Sequence, residues 1–431
     1  MVQPFIFKFG GASIKDSASF IRIVNILKSR WKNGLVIVVS AAGDTTDHLE
    51  EIIQLAINNQ AFSEQLSQLE EFHLNLCRPL FDEGHSIFQR VSNEFAKLKR
   101  TLDNEKKQEG YAYFYDQVIG YGELISTRIL QELLCQDGHY CVWQDARELI
   151  ATDSNYKMAK VDWVLTMQRC RKHLADKLET FPVVTQGFIG SDWQGTTTTL
   201  GREGSDFTAA ILAVSLGAKS VTIWKDVAGI LNGDPDLFPD AVKFEYLDFE
   251  EAAEMTYFGA KVIHPKTIKP LAKQRIPLYV KSFINPESGG TVIGNFEDDP
   301  KIPITVIRKN QVLASFRIKD LSKVGGFHFE ELFNLGKKLN WNVHLTQGSA
   351  VTVKMVIDQP DQVSNELPKS ILENFHVEWE EDLTLVTIKN YLPTQEETYE
   401  SKAEKVYLVQ KSPHTLQLVL SMKITEKSTV S

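Results

Sequence analysis

The feature that most constrains the fold is the alternation of strand-like and helix-like patterns over residues 1 to about 295. Phe5 to Phe9 and Leu35 to Val39 are short apolar runs bounded by glycine or serine, which is typical of buried strands. Between such runs, apolar residues recur at helical spacing, as from Leu124 to Leu134 with Gly138 as the stop. The alternation predicts an α/β domain whose mostly parallel sheet is covered by crossover helices.

Further elements follow the same logic. An N-cap at Asp47 with Glu50 three residues later predicts a helix start, and Gly217 is expected to close a helix from Phe207. The glycine- and threonine-rich run from Gly187 to Gly204 predicts a loop or hairpin. Residues 63–107 have a helical composition but suggest no function. Other predicted elements are strands at Pro182 to Val184, Ser220 to Trp224 and Pro277 to Ser282, and a helix at Asp248 to Phe258.

The pattern changes near Asn295 to Pro303, where an acidic run and two prolines form a break. Beyond it the order is strand, helix, strand, strand, which then repeats with a helix shortened to about Glu396 to Ala403. Strands are predicted at 312–318, 342–346, 351–357, 377–378, 383–388, 406–409 and 416–420, and helices at 329–339 and near 361–372. We therefore predict a first domain at residues 1–298 and an α+β domain at residues 306–431.

Composition excludes several classes of protein. A chain of 431 residues is expected to form two or three domains. The formal charge of −9 disfavours nucleic acid as a partner, because duplex binding requires a basic face. The apolar stretches are too short to span a membrane. Four scattered cysteines without a CxxC pair, and an amino terminus without a leader pattern, predict a cytoplasmic protein without a structural metal.

Two glycine-containing segments could bind an anion. Lys8-Phe9-Gly10-Gly11-Ala12-Ser13 ends the first strand, where glycine amides and a lysine suit a phosphate, although such a pair is most often a simple turn. Leu200 to Asp206 precedes a helix, and Arg202 offers a planar fork for a carboxylate. For that loop alone, a solvated arginine with an aspartate N-cap is equally acceptable.

A third segment, from Lys225 to Asp236, concentrates acids and glycines after a strand. Such carboxylates suit magnesium or ribose beside a nucleotide and are ordinary turn formers elsewhere. Lys261 lies close to a predicted helix end. For His264, which precedes a proline, a structural role is favoured over a catalytic one.

Together these motifs resemble those of the aspartate kinases of the amino acid kinase superfamily, over Lys8 to Thr291. The most specific are Gly122-Glu123-Leu124-Ile125-Ser126-Thr127, Thr197 to Asp206, Trp224 to Pro235, Phe258 to Pro265, and Ser288-Gly289-Gly290-Thr291. The resemblance implies a three-layer sandwich with a mostly parallel central sheet. It also implies transfer of a phosphoryl group from ATP, with Mg²⁺, to the side-chain carboxylate of L-aspartate, the first step towards lysine, threonine and methionine.

The resemblance also implies roles for individual residues. Lys8 would neutralise the transferring phosphoryl group, and Asp206 would organise Lys8 or the metal. The predicted aspartate site comprises Thr46, Glu123, Arg202 and Ser205, with Arg202 on the α-carboxylate and Glu123 on the α-ammonium. The predicted nucleotide site comprises Gly10, Gly11, Ser13, Ser40, Lys225, Asp226, Asp234 and Lys261, and Mg²⁺ would be held mainly by the ATP phosphates.

Four positions depart from the pattern of the family. Ala12 replaces a hydroxyl residue and Asp236 replaces an arginine, which weakens the expected nucleotide contacts. Residues 306–431 resemble paired ACT modules, but His344 and Ala350 stand where members regulated by lysine carry acids. We therefore expect this region to form a dimer and to bind an effector other than lysine, or none; a purely structural role carries equal weight.

Three functions remain open at this point. The first is an active aspartate kinase, whose ionised acceptor carboxylate would need no general base. The second is a related kinase acting on another carboxylate, a carbamate or a nucleotide. The third is a catalytically silent ACT-type amino-acid sensor, which the residues Ala12 and Asp236 make conceivable.

Overall fold

The computed structural model describes residues 2–104, 109–260, 263–296, 302–359 and 367–422. The chain divides into two compact units. The first unit takes Met1–Ile230, Lys243–Ala253 and Val262–Asp299, and the second takes Leu231–Val242, Glu254–Lys261 and Pro300–Ser431. The domain boundary between residues 298 and 306 stays a prediction, and two segments that precede it group with the second unit.

The first unit is built on a sheet of eight strands among the described residues, in the order β3-β4-β2-β1-β7-β9-β10-β8. Neighbours pair in parallel except at β9 and β10. The strands are β1 (Phe5–Phe9), β2 (Leu35–Val39), β3 (Val142–Gln144), β4 (Val183–Gln186), β7 (Ser220–Lys225), β8 (Tyr246–Asp248), β9 (Leu278–Ser282) and β10 (Thr291–Gly294); β5 (Ile189–Ser191) and β6 (Thr197–Thr199) form a separate hairpin.

Helices cover both faces of this sheet. The helices of this part of the chain are α1 (Ser17–Lys28), α2 (Thr45–Ile57), α3 (Ser63–Cys77), α4 (Ser86–Asn104), α5 (Tyr111–Ile119), α6 (Tyr121–Gln136), α7 (Trp163–Thr180), α8 (Gly204–Leu216), α9 (Phe249–Phe258), whose residues from Glu254 group with the second unit, and α10 (Pro265–Gln274). Because side chains alternate along a strand, Phe7 and Phe9 of β1 join the core formed with α1 to α6. Helix α8 contacts β1, β2 and β7 and packs against α7 and α10. This arrangement confirms the predicted three-layer sandwich.

Helices α3 and α4 lie in the segment at residues 63–107, of which the structure describes residues 63–104. Buried apolar side chains repeat along both helices and belong to the same core as α1, α2 and α6. They include Leu66, Leu69, Leu76, Ile87, Val91, Phe95, Leu98 and Leu102. The described part of this segment is therefore a packing element of the first unit.

Two helices begin earlier than the sequence predicted. Helix α2 begins at Thr45, so Asp47 lies in its first turn and is not the N-cap. Helix α8 begins at Gly204, and its N-cap is Glu203 in a left-handed conformation with φ of 54°. The helix predicted from Phe207 thus begins one turn sooner, and the alternative with Asp206 as N-cap is wrong because Asp206 lies in the first turn of α8.

The second unit contains a six-stranded antiparallel sheet in the order β12-β13-β11-β14-β16-β15. Its strands are β11 (Ile304–Ile318), β12 (Val343–Gly348), β13 (Thr352–Asp358), β14 (Phe375–Lys389), β15 (Lys405–Lys411) and β16 (Thr415–Ser421), and its helices are α11 (Gly326–Lys338), α12 (Lys369–Asn374) and α13 (Pro393–Lys402). The order β-α-β-β occurs twice, as β11-α11-β12-β13 and β14-α13-β15-β16, in agreement with the predicted ACT-like α+β fold.

The long strand β14 corrects one prediction. Residues 377–378 and 383–388 were expected to form separate strands, yet they belong to one strand. Asp382, with φ of 54°, lies in this strand at an irregularity in its pairing with β11 between Gln311 and Leu313. A bulge therefore absorbs the polar residues that suggested a turn. Of the helix predicted near residues 361–372, residues 361–366 lie outside the described residues, and α12 (Lys369–Asn374) overlaps its last part.

Candidate active site

The carboxyl ends of the central parallel strands bring cations and hydroxyls to one edge of the sheet. Lys8 is the penultimate residue of β1, Ser40 follows β2, and Lys225 ends β7. These strands are neighbours in the sheet, with β1 between β2 and β7. In open α/β sheets this edge is where ligands bind.

Helix α8 points its amino terminus at the same edge. Gly204, Ser205 and Asp206 form its first turn, so their amides carry the positive end of the helix dipole. The start of the helix packs tightly on the loop after β4, because a Cβ atom at Gly187 would lie 2.4 Å from the Ser205 Cβ. The site therefore depends on a glycine at position 187.

A buried ion pair joins β1 to α8. The Lys8 Nζ lies 2.7 Å from Asp206 Oδ1, and the Lys225 Nζ lies 3.9 Å from Asp206 Oδ2. Burial opposes ionisation of Asp206, but the ammonium groups of Lys8 and Lys225 hold the pKa of this carboxyl below its ordinary value. Asp206 is thus ionised at neutral pH and orients two cations.

The glycines after β1 allow a close approach of the backbone. A Cβ at Gly10 would lie 3.1 Å from the Lys8 Nζ, and one at Gly11 would lie 3.1 Å from the carbonyl oxygen of Ala41. Side chains here would crowd the lysine and the neighbouring turn. The turn is therefore suited to presenting amides to an anion.

These residues surround a cavity of about 900 Å³ within the first unit. Nine of the residues predicted from sequence line it: Lys8, Gly11, Ser40, Thr46, Glu123, Arg202, Ser205, Asp206 and Lys225. The cavity thus has a cationic end at β1 and β7, and it also contains an arginine and two buried acids. A site of this size accepts a nucleotide phosphate together with a small amino acid.

Glu123 is a buried acid of the cavity whose ionisation is strongly opposed. It is 4% exposed, and its Oε2 has no hydrogen-bond partner within the described residues. Burial raises the pKa of Glu123 to about 8, against the opposing effects of the amides of Glu123 and Ala41 and of the Lys8 charge. A buried acid with an unused oxygen is suited to receiving a cationic group of a ligand.

Arg202 lies on the loop between β6 and α8 and is exposed in the cavity mouth. The Lys266 ammonium donates hydrogen bonds to the carbonyl oxygens of Leu200 and Arg202, which fixes the backbone of this loop. Burial lowers the pKa of Lys266 to about 8. Lys266 was not singled out in the sequence, although it follows His264 by two residues.

Five of the site residues predicted from the sequence are not among the described residues that line the cavity. Gly10 adjoins it through Lys8, and Ser13 is buried in the short helical turn Gly11–Ile14. Asp226 is exposed after β7, and Asp234, also exposed, lies in the segment that groups with the second unit. Lys261 lies outside the described residues. His264 is the N-cap of α10 and accepts a hydrogen bond from the Lys266 amide, which is a structural role.

Several lining residues were missed because no motif contains them. Tyr115 donates a hydrogen bond to Glu50, and both face the cavity. The loop Asn155 to Met158 forms another part of the wall, with Lys157 in a left-handed conformation at φ of 68°. A left-handed lysine leaves no signal in the sequence, since glycine is the residue that normally marks such a position.

The residues present suit a metal that arrives with a nucleotide. Among the described residues, no group of three or more His, Cys, Asp and Glu side chains could hold a metal ion. Asp206 is already paired with two lysines. This donor set fits Mg²⁺ carried by phosphates, which usually retains several water ligands. In the part of the chain that the structure describes, no helix is long and apolar enough to cross a membrane.

Comparison with known proteins identifies the family. Residues 3–282 match the model of the amino acid kinase family. The lysine-sensitive aspartokinase 3 of Escherichia coli K12 is 32% identical over 402 residues, which covers 90% of this chain and 87% of that protein. The crystal structure of E. coli aspartokinase III in complex with aspartate and ADP (R-state) has a TM-score of 0.81 at 28% identity, covering 97% and 96% of the two chains.

A second state of that enzyme is also similar. The structure of E. coli aspartokinase III with lysine and aspartate (T-state) has a TM-score of 0.80 at 28% identity and covers 99% of this chain and 98% of that one. The match to the family model spans more than half of the chain, and the sequence relative extends over nearly all of it. The chain therefore belongs to the amino acid kinase family and, within it, to the aspartokinases.

Proposed function

We propose that this protein transfers the γ-phosphoryl group of MgATP to the side-chain carboxylate of L-aspartate, giving 4-phospho-L-aspartate. The observation that carries the proposal is the shared cavity. Lys8, Glu123, and the pair Arg202 and Asp206, which come from three distant parts of the sequence, line one space of about 900 Å³. In amino-acid biosynthesis, formation of this product is the first step towards lysine, threonine and methionine.

The amino-acid end of the cavity supports recognition of a free amino acid. Arg202 would bind the α-carboxylate through its planar guanidinium, and Glu123 would bind the α-ammonium through its unused oxygen. Thr46 and Ser205 offer hydroxyl groups to the substrate. A ligand lacking either charged group would leave one of these residues unpaired, which is how polar sites discriminate.

At the phosphate end of the cavity, two negatively charged groups, the acceptor carboxylate and the ATP phosphates, must come together. The acceptor carboxylate has a pKa of about 4, so it is ionised at neutral pH and requires no general base. Lys8 and Lys225 would neutralise the transferring group, while Gly11 and Ser40 would donate hydrogen bonds to phosphate oxygens, together with Gly10, which adjoins the cavity through Lys8. Asp206 would hold both lysines in place.

The nucleotide site is extended by residues whose role rests on the family resemblance. Ser13, Asp226, Asp234 and Lys261 are proposed contributors, together with Mg²⁺ held mainly by the ATP phosphates. When bound there, Mg²⁺ supplies further neutralisation of phosphate charge. The exposed Asp236 donates its backbone amide to Asp234, so it does not replace the positive contact that the family has at that position.

Two other functions are distinguishable by experiment. A kinase acting on another carboxylate would lose the benefit of Glu123 unless its substrate also carried an ammonium. A silent amino-acid sensor would bind aspartate without consuming ATP. The intact Lys8–Asp206 pair favours catalysis over the sensor.

The decisive test is formation of aspartyl hydroxamate from aspartate, ATP, Mg²⁺ and hydroxylamine, run beside a coupled assay of ADP release. Glutamate and homoserine serve as alternative acceptors. Of these three acceptors, we expect only aspartate to give product. Absence of product with aspartate in a correctly folded preparation would remove the proposed function, and product with glutamate would favour the related kinase.

The second unit has a proposed regulatory and assembly role. The predicted homodimer through the ACT-like region, an amino-acid effector other than lysine, and a cytoplasmic location all remain proposals. Sedimentation of the full chain tests the dimer, and cell fractionation tests the location. The relative from E. coli is described as lysine-sensitive, which makes lysine the first effector to titrate.

A further inference from the structure

Asp116 is a buried carboxylate outside every motif of the sequence. It lies on α5, has no solvent exposure, and receives four hydrogen bonds. The Lys157 amide donates to both oxygens at 3.1 and 3.0 Å. The Thr199 amide donates to Oδ2 and its hydroxyl to Oδ1, each at 2.8 Å. We propose that Asp116 is a positioning residue that fixes two walls of the cavity and thereby sets the affinity for the amino-acid substrate.

One of these walls is the loop from Asn155 to Met158. All four of its residues line the cavity. Lys157 adopts a left-handed conformation, φ 68°, which a lysine does not favour, and its amide points at the Asp116 carboxylate. The Lys157 ammonium also returns to α5, lying 4.6 and 4.4 Å from the ring centroids of Tyr111 and Tyr115. Both ends of Lys157 are therefore anchored to the helix that carries Asp116.

The other wall leads directly to Arg202. Thr199 ends β6, three residues before this arginine. The Ala159 amide donates to the Thr199 carbonyl oxygen at 2.9 Å, so the two walls are also joined to each other. Their contact is close, because a Cβ at Gly201 would lie 3.0 Å from the Lys157 carbonyl oxygen. Loss of the Asp116 acceptor would free the Lys157 amide and the Thr199 amide and hydroxyl, and so loosen both walls beside the segment that leads to Arg202.

The charge of Asp116 provides a second way to test this role. Burial raises the pKa of Asp116 to about 6, opposed by the Lys157 and Thr199 hydrogen bonds and by the Lys157 charge. The titratable groups around it are Lys157 on the loop, Tyr115 on its own helix, and Glu50, which accepts a hydrogen bond from Tyr115. A protonated carboxyl would place a donor against amide donors, so at least one of the four bonds would be lost.

The inference rests on the proposed aspartate kinase activity. That activity is tested separately by assaying the unmodified enzyme at pH 8. We expect Asp116→Asn to raise the KM for aspartate about tenfold at that pH, with kcat and the KM for ATP changed less than about threefold. The asparagine amide keeps the shape but offers a single acceptor oxygen. Thr199→Val, which removes only the hydroxyl donor, should raise the same KM by about threefold.

The matched control is Asp145→Asn. Asp145 also receives four hydrogen bonds, all from Arg147, but neither residue lines the cavity. Its loss should lower the melting temperature and leave the KM for aspartate within about twofold. A KM for aspartate that rises equally in both variants would show a general loss of stability and overturn the positioning role.

The pH profile of the unmodified enzyme decides the matter even if Asp116→Asn fails to fold. Glu123 alone should make log KM for aspartate rise by about one unit per pH unit below pH 8. Protonation of Asp116 below pH 6 should add up to about a tenfold further rise in KM, so the slope should exceed one between pH 6 and 5, whereas Asp116→Asn should keep it near one. An active enzyme whose log KM for aspartate changes with a constant slope from pH 7.5 to 5 would refute the role of Asp116 and leave the proposed function intact.

Discussion

At the scale of single residues, the pair Lys8 and Asp206 is the centre of the site. Replacing Lys8 with alanine removes the cation nearest to Asp206 and, under the proposed mechanism, the group that neutralises the transferring phosphoryl. We expect kcat to fall by about 10²- to 10³-fold, with a smaller effect on the KM for aspartate. Hydroxamate formation at saturating substrates measures this loss.

A surface lysine provides the control for Lys8→Ala. Lys28 forms an ion pair with Asp137 at 2.8 Å, but its side chain is 42% exposed. Such pairs contribute little, so Lys28→Ala should retain nearly full activity. If Lys8→Ala kept more than about a tenth of the activity of the unmodified enzyme, electrostatic stabilisation by Lys8 would not be the main catalytic contribution.

Glu123 leads to a pH prediction. Its pKa is raised to about 8, so below that pH the free enzyme holds it mainly neutral, while binding an ammonium group requires the ionised form. The KM for aspartate should therefore fall as pH rises from 6.5 to 8, by about tenfold per pH unit. Steady-state kinetics across this range measures the profile.

The variant Glu123→Gln isolates that effect. It keeps the shape of the side chain but cannot ionise, so the KM should be high and independent of pH in the same window. A steep profile in Glu123→Gln would assign the titration to another group, such as Lys266, whose pKa is lowered to about 8.

At the scale of elements, the position of α8 determines where Ser205, Asp206 and the helix dipole lie. A Cβ at Gly187 would meet the Ser205 Cβ, Oγ and Cα at 2.4, 2.5 and 2.7 Å. Gly187→Ala must therefore displace the start of α8. We expect the KM for aspartate to rise about tenfold or more and kcat to fall, since a shift of about 1 Å in a catalytic group costs as much as 10²-fold.

The other end of α8 supplies the matched control. Gly217 caps the helix with φ of 62°, and no atom lies within 4 Å of a Cβ built there. Gly217→Ala should cost about 1–2 kcal/mol of folding free energy through backbone strain alone. Its kinetics at 25 °C should match those of the unmodified enzyme. Equal kinetic losses in both variants would mean that α8 stability, and not its starting position, limits activity.

The strands and the charged end of the site could be predicted from sequence for physical reasons. Buried parallel strands such as β1 and β2 are nearly continuous apolar runs, and the glycines after β1 mark a close turn. The lysine preceding those glycines then had to lie at the carboxyl edge of the sheet. The joint occurrence of several motifs predicted the other residues assigned to the site from the sequence.

Other parts of the site could not be predicted, because their determinants are tertiary. Lys157 and Glu203 take left-handed conformations that their residue types do not signal. Asp116 matters through amides of distant residues, so its neighbours in the sequence reveal nothing. Asp382 looked like a turn and is a bulge within β14, since strand pairing on both sides outweighs the local preference.

At the scale of the whole molecule, the question is what the second unit senses. The Nε2 of His344 on β12 donates a hydrogen bond to Asp358 Oδ1 at 2.7 Å. Asp358 also accepts hydrogen bonds from Gln311 and Asn342. The carboxylate nearest to the position of the missing acid is thus already occupied. Burial and the Arg308 charge lower the pKa of His344, so at pH 7.5 its ring is neutral and carries no charge of either sign.

We therefore expect lysine to leave the enzyme uninhibited up to about 1 mM, which corresponds to less than about 4 kcal/mol of binding free energy. A cationic effector must find an unpaired carboxylate, and both His344 and Ala350 lack one. Titrations of lysine, threonine and methionine into the steady-state assay measure this. The variant His344→Asp with Ala350→Glu supplies two acids and should become lysine-sensitive. Half-inhibition of the unmodified enzyme by micromolar lysine would show instead that lysine binds through other residues. The first of these to test is Asp358, freed from its bond to His344, with the variant Asp358→Asn.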